Sequence, residues 1–154
     1  MLNVIKEQKD AALLVRLVGS IEEGVQFEQL LGNVPAELIV NCKEVPRINS
    51  VGVKAWIRYF QSLQTKGVRL RFVECSSAII EQVNLISNFV PADSVESFFV
   101  PFACTKCKSE LLGLYSSAAI KKLQGNVPAQ TCPKCGGSAE FDDIPEEYFG
   151  FLTR

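Results

Sequence analysis

The sequence predicts an α/β protein in which helices accompany a mixed, mostly parallel sheet, with a small module of a different kind after it. Over the first hundred residues, short apolar runs typical of strands alternate with stretches whose apolar residues recur at helical intervals. In the last third this alternation stops, and four cysteines occur in two close pairs. We therefore expect two parts, residues 1–101 and residues 102–154.

The first elements are two extended segments and a short helix. Residues 2–7 and 12–18 flank a polar turn, which predicts a β-hairpin. Apolar residues at helical spacing predict a helix within residues 25–34. The compact apolar run 37–42 lies between two prolines and is typical of a strand buried on both faces of a parallel sheet.

The next helix has the clearest pattern. From Val53 onward, apolar residues recur every three or four positions, and Trp56 lies on the apolar face, where we expect it to join the core. Asn49 or Ser50 can cap the first N–H groups of this helix. Gly67 can supply the left-handed residue that commonly ends a helix.

Two further strands enclose a third helix. The strands are predicted at residues 68–73 and 95–99, and the helix at about 76–88. Strands and helices that alternate in this way predict parallel strands joined by right-handed crossovers. Cys42 and Cys75 each follow a strand, and we expect both to be small buried apolar residues.

Three segments carry a resemblance to a known family. They read Leu-Ile-Val-Asn-Cys at 38–42, Arg-Ile-Asn-Ser-Val-Gly at 47–52 and Val-Arg-Leu-Arg-Phe-Val at 68–73. With them, the helix closing at Lys-Gly and the Ser-Ser pair at 76–77 make residues 1 to about 100 similar to a STAS domain. This domain is the fold shared by anti-sigma factor antagonists and the cytoplasmic ends of sulphate transporters.

The resemblance implies a function for the loop 47–52. In the family this loop commonly reads Asp-Ser-Ser/Thr-Gly, and its first serine is phosphorylated by a partner kinase that is also the anti-sigma factor. Ser50 occupies that position, whereas Asn49 replaces the usual aspartate and Val51 the second hydroxyl residue. The resemblance thus implies a regulatory protein-binding module with Ser50 as its phosphorylation site. The candidate partner surface comprises Arg47, Ile48, Asn49, Ser50, Val51, Gly52 and Lys54.

Other interpretations of this loop stay open. Ser50 can be an ordinary N-cap, because serine is favoured at that position in helices generally. Lys54 can contact an acidic partner or belong to a solvated helix face. A STAS scaffold that assembles a signalling complex without phosphorylation is a further hypothesis, which Asn49 and Val51 favour.

The last third contains the most specific motif of the chain. Cys104 and Cys107 form one Cys-x-x-Cys pair, and after 24 residues Cys132 and Cys135 form another. Two tight turns that each supply two sulfurs can complete a tetrahedral metal shell. We expect a structural Zn²⁺ ion in a zinc-ribbon-like module, because four cysteines leave no position open for substrate. A rubredoxin-like iron site and a dithiol redox role are the alternatives.

The final segment alternates acidic and aromatic residues over positions 140–152. Aromatic residues at this density are more often sequestered than exposed. We therefore expect this segment to pack over the cysteine module or the sheet, with a docking segment as the alternative. The aromatic residues in question are Phe141, Tyr148, Phe149 and Phe151.

Composition excludes several classes of function. The chain has no histidine, so catalysis that relies on imidazole, including the serine and cysteine triads, is excluded. We expect no enzyme, because no acid, base and nucleophile converge in the sequence. A formal net charge of −1 gives no global attraction to nucleic acid. Only Lys106, Lys108 and Lys134, beside the cysteines, support the alternative of a nucleic-acid-associated zinc ribbon.

The sequence also predicts a location. No apolar run approaches the roughly 18 residues that span a bilayer, and the first residues lack the apolar stretch of a signal peptide. We therefore expect a cytoplasmic protein without membrane contact. In that reducing compartment, paired cysteines are more often metal ligands than disulfides.

Overall fold

A computed structural model describes residues 1–153, and its first sheet has four strands. The strands are β1 (Asn3–Lys9), β2 (Ala12–Val18), β3 (Glu37–Glu44) and β4 (Arg69–Val73), side by side in that order. β1 and β2 form the predicted antiparallel hairpin, while β2–β3 and β3–β4 are parallel. The predicted mixed, mostly parallel sheet is confirmed.

Three helices accompany this sheet, and an aromatic cluster packs between them and the strands. The helices are α1 (Phe27–Leu31), α2 (Ser50–Thr65) and α3 (Ser77–Leu85). Trp56 is fully buried at the centre of the cluster, with its ring 4.6 Å from that of Phe60 and 4.8 Å from that of Phe89. Its indole N–H donates to the Phe89 carbonyl at 2.9 Å. The prediction that Trp56 belongs to the core is confirmed.

Only one face of the sheet is covered. On β3, Leu38, Val40 and Cys42 are fully buried, whereas Ile39 and Asn41 on the opposite face are partly exposed. The prediction that this strand is buried on both faces is wrong, because the helices pack against one face alone. The predicted burial of both Cys42 and Cys75 is confirmed.

The open face carries an ion-pair cluster instead of helices. Arg71 Nε lies 2.7 Å from a carboxylate oxygen of Glu96, and Arg71 Nη1 lies 3.1 Å from one of Glu37. The hydrogen bond from Arg71 lowers the pKa of Glu96. Charged side chains thus cover part of this face and keep it compatible with water.

The second sheet is antiparallel and lies beyond the first in the chain. Its strands are β5 (Ser97–Cys104), β6 (Glu110–Ser116), β7 (Gln130–Thr131) and β8 (Ser138–Phe141), in the order β6-β5-β8-β7. Helix α4 (Ser117–Leu123) lies between β6 and β7.

β5 links the two sheets. The strand predicted at 95–99 lies parallel to the end of β4, with bridges that join Phe72 to Val95 and Cys75 to Phe98. The Glu96 N–H donates to the Phe72 carbonyl at 2.8 Å, and the Phe99 N–H donates to the Cys75 carbonyl at 2.9 Å. A strand at this position is therefore confirmed, and it continues beyond the predicted range to form ladders with β6 and β8. β5 crosses the predicted boundary at residue 101, and one cluster of buried side chains includes residues from both parts. The division into two parts stays a prediction.

The last residues pack onto α3 and β5. Packing of this segment is confirmed, but the prediction named the cysteine module or the sheet and did not include α3. A short helix α5 (Pro145–Tyr148) and a 3-10 turn (Gly150–Thr153) end the described chain. Tyr148 and Phe149 are buried, and the Tyr148 hydroxyl donates to the Phe99 carbonyl at 2.6 Å. Within residues 1–153, no helix has both the length and the apolar character needed to span a membrane.

Candidate functional site

The loop 47–52 follows β3 and is held in place by one buried residue. The Ile21 N–H donates to the Arg47 carbonyl at 3.0 Å, and the Asn49 N–H donates to the Ile21 carbonyl at 3.1 Å. Ile21 itself is fully buried and forms an isolated parallel bridge with Ile48. The backbone of the loop is therefore fixed before any partner binds.

Gly52 completes this anchor. A Cβ atom at position 52 would lie 2.2 Å from the Ile21 carbonyl oxygen, so only glycine allows α2 to approach the Ile21 backbone this closely. Gly52 is buried and offers no side chain to a partner. Gly52 was predicted to belong to the partner surface, but its role is to fix the position of the loop.

Asn49 uses both ends of its side-chain amide. Its Oδ1 accepts a hydrogen bond from the Gly52 N–H at 2.8 Å, which makes Asn49 the N-cap of α2. Its Nδ2 donates to Glu23 Oε1 at 2.9 Å. An aspartate could accept the capping bond equally well, but it would direct a carboxylate at Glu23. Asparagine therefore suits this chain better than the aspartate usual in the family.

Ser50 is the first residue of α2 and is exposed to solvent. Because Asn49 caps the helix, the interpretation of Ser50 as the N-cap is wrong. Within the described residues, the Ser50 hydroxyl has no hydrogen bond to any side chain or backbone group. The hydroxyl is therefore available for modification or for a partner.

The surface around Ser50 combines apolar and basic side chains. Val51 is 46% exposed, Arg47 and Lys54 are exposed, and Ile48 is partly exposed. A cleft of about 300 Å³ separates the loop from α3. Apart from the buried Gly52, the predicted partner residues thus share one accessible surface.

The four predicted cysteines come together at one end of the second sheet. Cys104 Sγ lies 3.4 Å from Cys135 Sγ, and Cys107 Sγ lies 3.6 Å from Cys132 Sγ. All four sulfur atoms lie within 4.8 Å of one another. Tetrahedral metal–sulfur bonds of about 2.3 Å place neighbouring sulfur atoms about 4 Å apart. The observed sulfur–sulfur distances are similar, so the cluster fits a single metal ion.

The two cysteine turns have matching backbones. The Lys108 N–H donates to the Cys104 carbonyl at 3.1 Å, and the Gly136 N–H donates to the Cys132 carbonyl at 2.9 Å. Lys108 and Gly136 both have positive φ, 65° and 75°. Glycine adopts this conformation readily in the second turn, and a lysine adopts it in the first.

Backbone N–H groups point at the sulfur atoms. Those of Lys106 and Cys107 lie 3.4 Å from Cys104 Sγ, and that of Gly137 lies 3.4 Å from Cys135 Sγ. Such donors favour the thiolate, which is the form that binds metals. Gly137 was not predicted from the sequence as part of this site. A Cβ atom at this position would lie 3.3 Å from Cys104 Sγ. The Gly-Gly pair after the second motif was the available signal.

The pKa values of the thiols diverge within the cluster. Hydrogen bonds to Ser109 lower the pKa of Cys107 to about 6, and the Cys107 N–H lowers that of Cys104. The Gly137 N–H favours the Cys135 thiolate, but the neighbouring thiols outweigh it and raise the pKa of Cys135 to about 11. Four clustered sulfurs thus compete for protons, and a bound cation would relieve this competition.

The part of the chain that resembles known proteins contains the first sheet and the loop 47–52. Among curated proteins, no match is found. The family described as STAS domain matches residues 3–91, which include the first sheet, α1–α3 and the loop with Ser50. The match ends before β5 and the cysteine cluster. Because it covers more than half of the sequence, the chain belongs to the STAS domain family, whose members generally mediate protein–protein contacts.

Proposed function

We propose that this protein is a regulatory binding module, similar to an anti-sigma factor antagonist, whose contact with its partner is switched by phosphorylation of Ser50. The proposed partner is an anti-sigma kinase or a related signalling protein. The observation that carries the proposal is the exposed Ser50 hydroxyl, free of hydrogen bonds on a fixed loop. The protein acts by binding and not by catalysis.

Phosphorylation would change the surface and leave the fold intact. Ile21, Gly52 and the Asn49 side chain hold the loop, and none of these contacts involves the Ser50 hydroxyl. A phosphate would add about −1.5 to −2 charges at the N-terminal end of α2, where negative charge is tolerated. The neighbouring Val51 surface would become anionic and hydrated, so a partner that buries it would be released.

The cysteine cluster is proposed to hold a structural Zn²⁺ ion. Cys104, Cys107, Cys132 and Cys135 would supply all four ligands, so the ion would cross-link the two turns and perform no reaction. Four thiolates around Zn²⁺ carry a net charge of −2, which the exposed Lys106, Lys108 and Lys134 offset. Metal analysis and the colour of the purified protein separate zinc from iron, because four-sulfur iron sites absorb visible light.

A scaffold without phosphorylation is the second candidate function. Its support is the contact between Asn49 and Glu23, which places a carboxylate beside the loop. A phosphate on Ser50 would be repelled by this carboxylate. A docking surface that is never phosphorylated would avoid this repulsion. This candidate predicts that native protein carries no phosphate on Ser50. It also predicts that an acidic residue at position 50 weakens partner binding no more than an acidic residue at another exposed position does.

Quantitative capture from extracts of the source organism tests the proposal. The baits are the wild type, S50A, S50D and the control S87D, which places the same charge on an exposed serine after α3. We expect S50A and S87D to recover as much partner as the wild type does. S50D should recover at least tenfold less. Equal recovery with all four folded baits would contradict a switch at Ser50.

A further inference from the structure

The second sheet ends at β6, and no other strand within residues 1–153 pairs with this edge. β6 has seven residues, and its Leu112 and Leu114 side chains are 61% and 51% exposed on the same face. No other strand or helix within residues 1–153 exposes two large apolar side chains to this degree. An apolar edge strand of this length is a typical site for pairing with another strand.

The other sheet edges are protected. β1, at the edge of the first sheet, carries the exposed charged side chains of Lys6, Glu7 and Lys9. β7, at the far edge of the second sheet, has only two residues, and β4 is bridged to the start of β5. β6 contains no lysine or proline, and its single charged residue, Glu110, lies at one end. Among the sheet edges of the described residues, that of β6 alone lacks the usual protection against strand pairing.

Hydrogen bonds at both ends of the β5–β6 ladder define which backbone groups face outward. The Cys104 N–H donates to the Ser109 carbonyl and the Ser117 N–H to the Glu96 carbonyl, both at 2.9 Å. In an antiparallel ladder the hydrogen-bonded pairs alternate, so every second residue of β6 faces β5. The N–H and C=O groups of Leu112 therefore point to the open edge, as do those of Leu114. Pro101, opposite Leu112, agrees with this assignment, since it has no N–H to donate.

We propose that β6 pairs antiparallel with β6 of a second copy of this chain, around a two-fold axis at Gly113. In this register Leu112 pairs with Leu114 of the second copy, and Glu110 pairs with its Ser116. All of these residues have outward-facing backbone groups, so the whole length of the edge becomes hydrogen-bonded. The two four-stranded sheets become one continuous sheet.

Charge and shape favour a second copy as the occupant. The two-fold axis places the two Glu110 carboxylates at opposite ends of the interface, so no like charges face each other. The leucines form apolar cross-strand pairs that continue the surface of Phe99 and Pro101, their neighbours in the β5–β6 ladder. At the axis, where the chains approach to about 4.5 Å between Cα atoms, glycine presents no side chain.

The pairing closes on itself. Because residues 1–153 of each chain have one unprotected sheet edge, a dimer that uses both copies of β6 leaves no further edge of this part of the chain for growth. The dimer does not depend on Ser50 or on the proposed partner. It would give each assembly two Ser50 surfaces and so allow bivalent partner binding.

Sedimentation velocity of the purified full-length protein, from low to several hundred micromolar, tests the proposal. We expect the wild type to shift from monomer to dimer as concentration rises. L114P removes an outward-facing N–H while sparing the ladder with β5, and L112K/L114K places lysines opposite lysines. Both variants should dimerise at least tenfold more weakly. L85K, which changes another leucine that is 77% exposed, should dimerise like the wild type.

Three results would overturn the proposal. They are a wild type that stays monomeric throughout, a dimer that the double lysine variant does not weaken, and growth beyond the dimer. Thermal unfolding and metal content of each variant confirm that the fold is retained. If L114P does not fold, the result with L112K/L114K tests the proposal. Both of its positions are exposed, so we expect this variant to fold.

Discussion

Replacement of Asn49 by aspartate, the residue usual in the family, is predicted to destabilise this protein although aspartate is an equally good helix cap. The reason is Glu23, whose carboxylate accepts a hydrogen bond from Asn49 Nδ2 at 2.9 Å. In the variant this bond is lost and two carboxylates face each other. Two like charges about 4 Å apart repel by about 1 kcal/mol in water. The interaction of the new carboxylate with the helix dipole stabilises the variant by about 0.3–1 kcal/mol. The lost hydrogen bond destabilises it by about 1 kcal/mol. We expect a net loss of about 1 kcal/mol.

Urea unfolding of four proteins measures this effect. They are the wild type, N49D, E23Q and N49D/E23Q, compared at low and high salt near neutral pH. We expect N49D to be less stable than the wild type, and E23Q to remove most of that difference. Added salt should reduce the penalty, because both side chains reach solvent and ions screen their repulsion.

The double-mutant cycle also supplies the result that would refute this reasoning. An N49D variant as stable as the wild type would mean that Glu23 does not restrict position 49. A penalty that persists in N49D/E23Q and at high salt would assign the loss to the cap itself. In either case, the explanation of asparagine at this position would be wrong.

Three further predictions concern the loop, the metal and pH. G52A should lose more than about 2 kcal/mol of unfolding free energy in urea, because its Cβ would meet the Ile21 carbonyl. The control G150A, with only an ordinary contact at 3.6 Å, should change by less than about 0.5 kcal/mol; equal losses would contradict the anchor. Removal of metal by a chelator, or C132S, should make residues 102–153 sensitive to proteolysis while α2 stays protected, and unchanged resistance would exclude a structural ion. Burial raises the pKa of Tyr148 from 10.0 to about 12, so its contribution to stability is complete below pH 10 and is lost as pH rises toward 12. Y148F should show a smaller loss over this interval in pH-dependent thermal unfolding, and an identical loss would contradict the assignment.

Local patterns were sufficient to predict much of the first sheet and its helices. The apolar periodicity around Trp56 predicted α2, because burial of one helix face repeats every three or four residues. The cysteine spacing predicted the cluster, since two residues between ligands allow a tight turn around one ion. The helical signal lies in one continuous segment, and each cysteine pair lies within four consecutive residues.

What the sequence did not predict depends on distant contacts. Ile39 made β3 look buried on both faces, but the position of the helices decides which face is covered. β5 begins beside β4 but forms its ladders with β6 and β8, which follow it in the chain. Neither partner can be deduced from the apolar pattern of β5 itself.

The choice of helix cap shows the same limit at the candidate site. Asn49 and Ser50 are both favoured N-cap residues, and local propensity does not choose between them. In the structure Asn49 is the N-cap. Its backbone N–H is held by the Ile21 carbonyl, and its Oδ1 accepts a hydrogen bond from the Gly52 N–H. Glu23 is 26 residues away in sequence, so its contact with Asn49 leaves no local signal.

The occupancy of phosphate on Ser50 in protein isolated from its source most directly tests the central claim. The measurement compares, by peptide mass spectrometry, the fraction bound to the partner with the fraction that is free. A switch at Ser50 predicts phosphate in the free pool and little or none in the bound pool. Equal occupancy in the two pools, or no phosphate in either, would contradict it and favour the permanent scaffold.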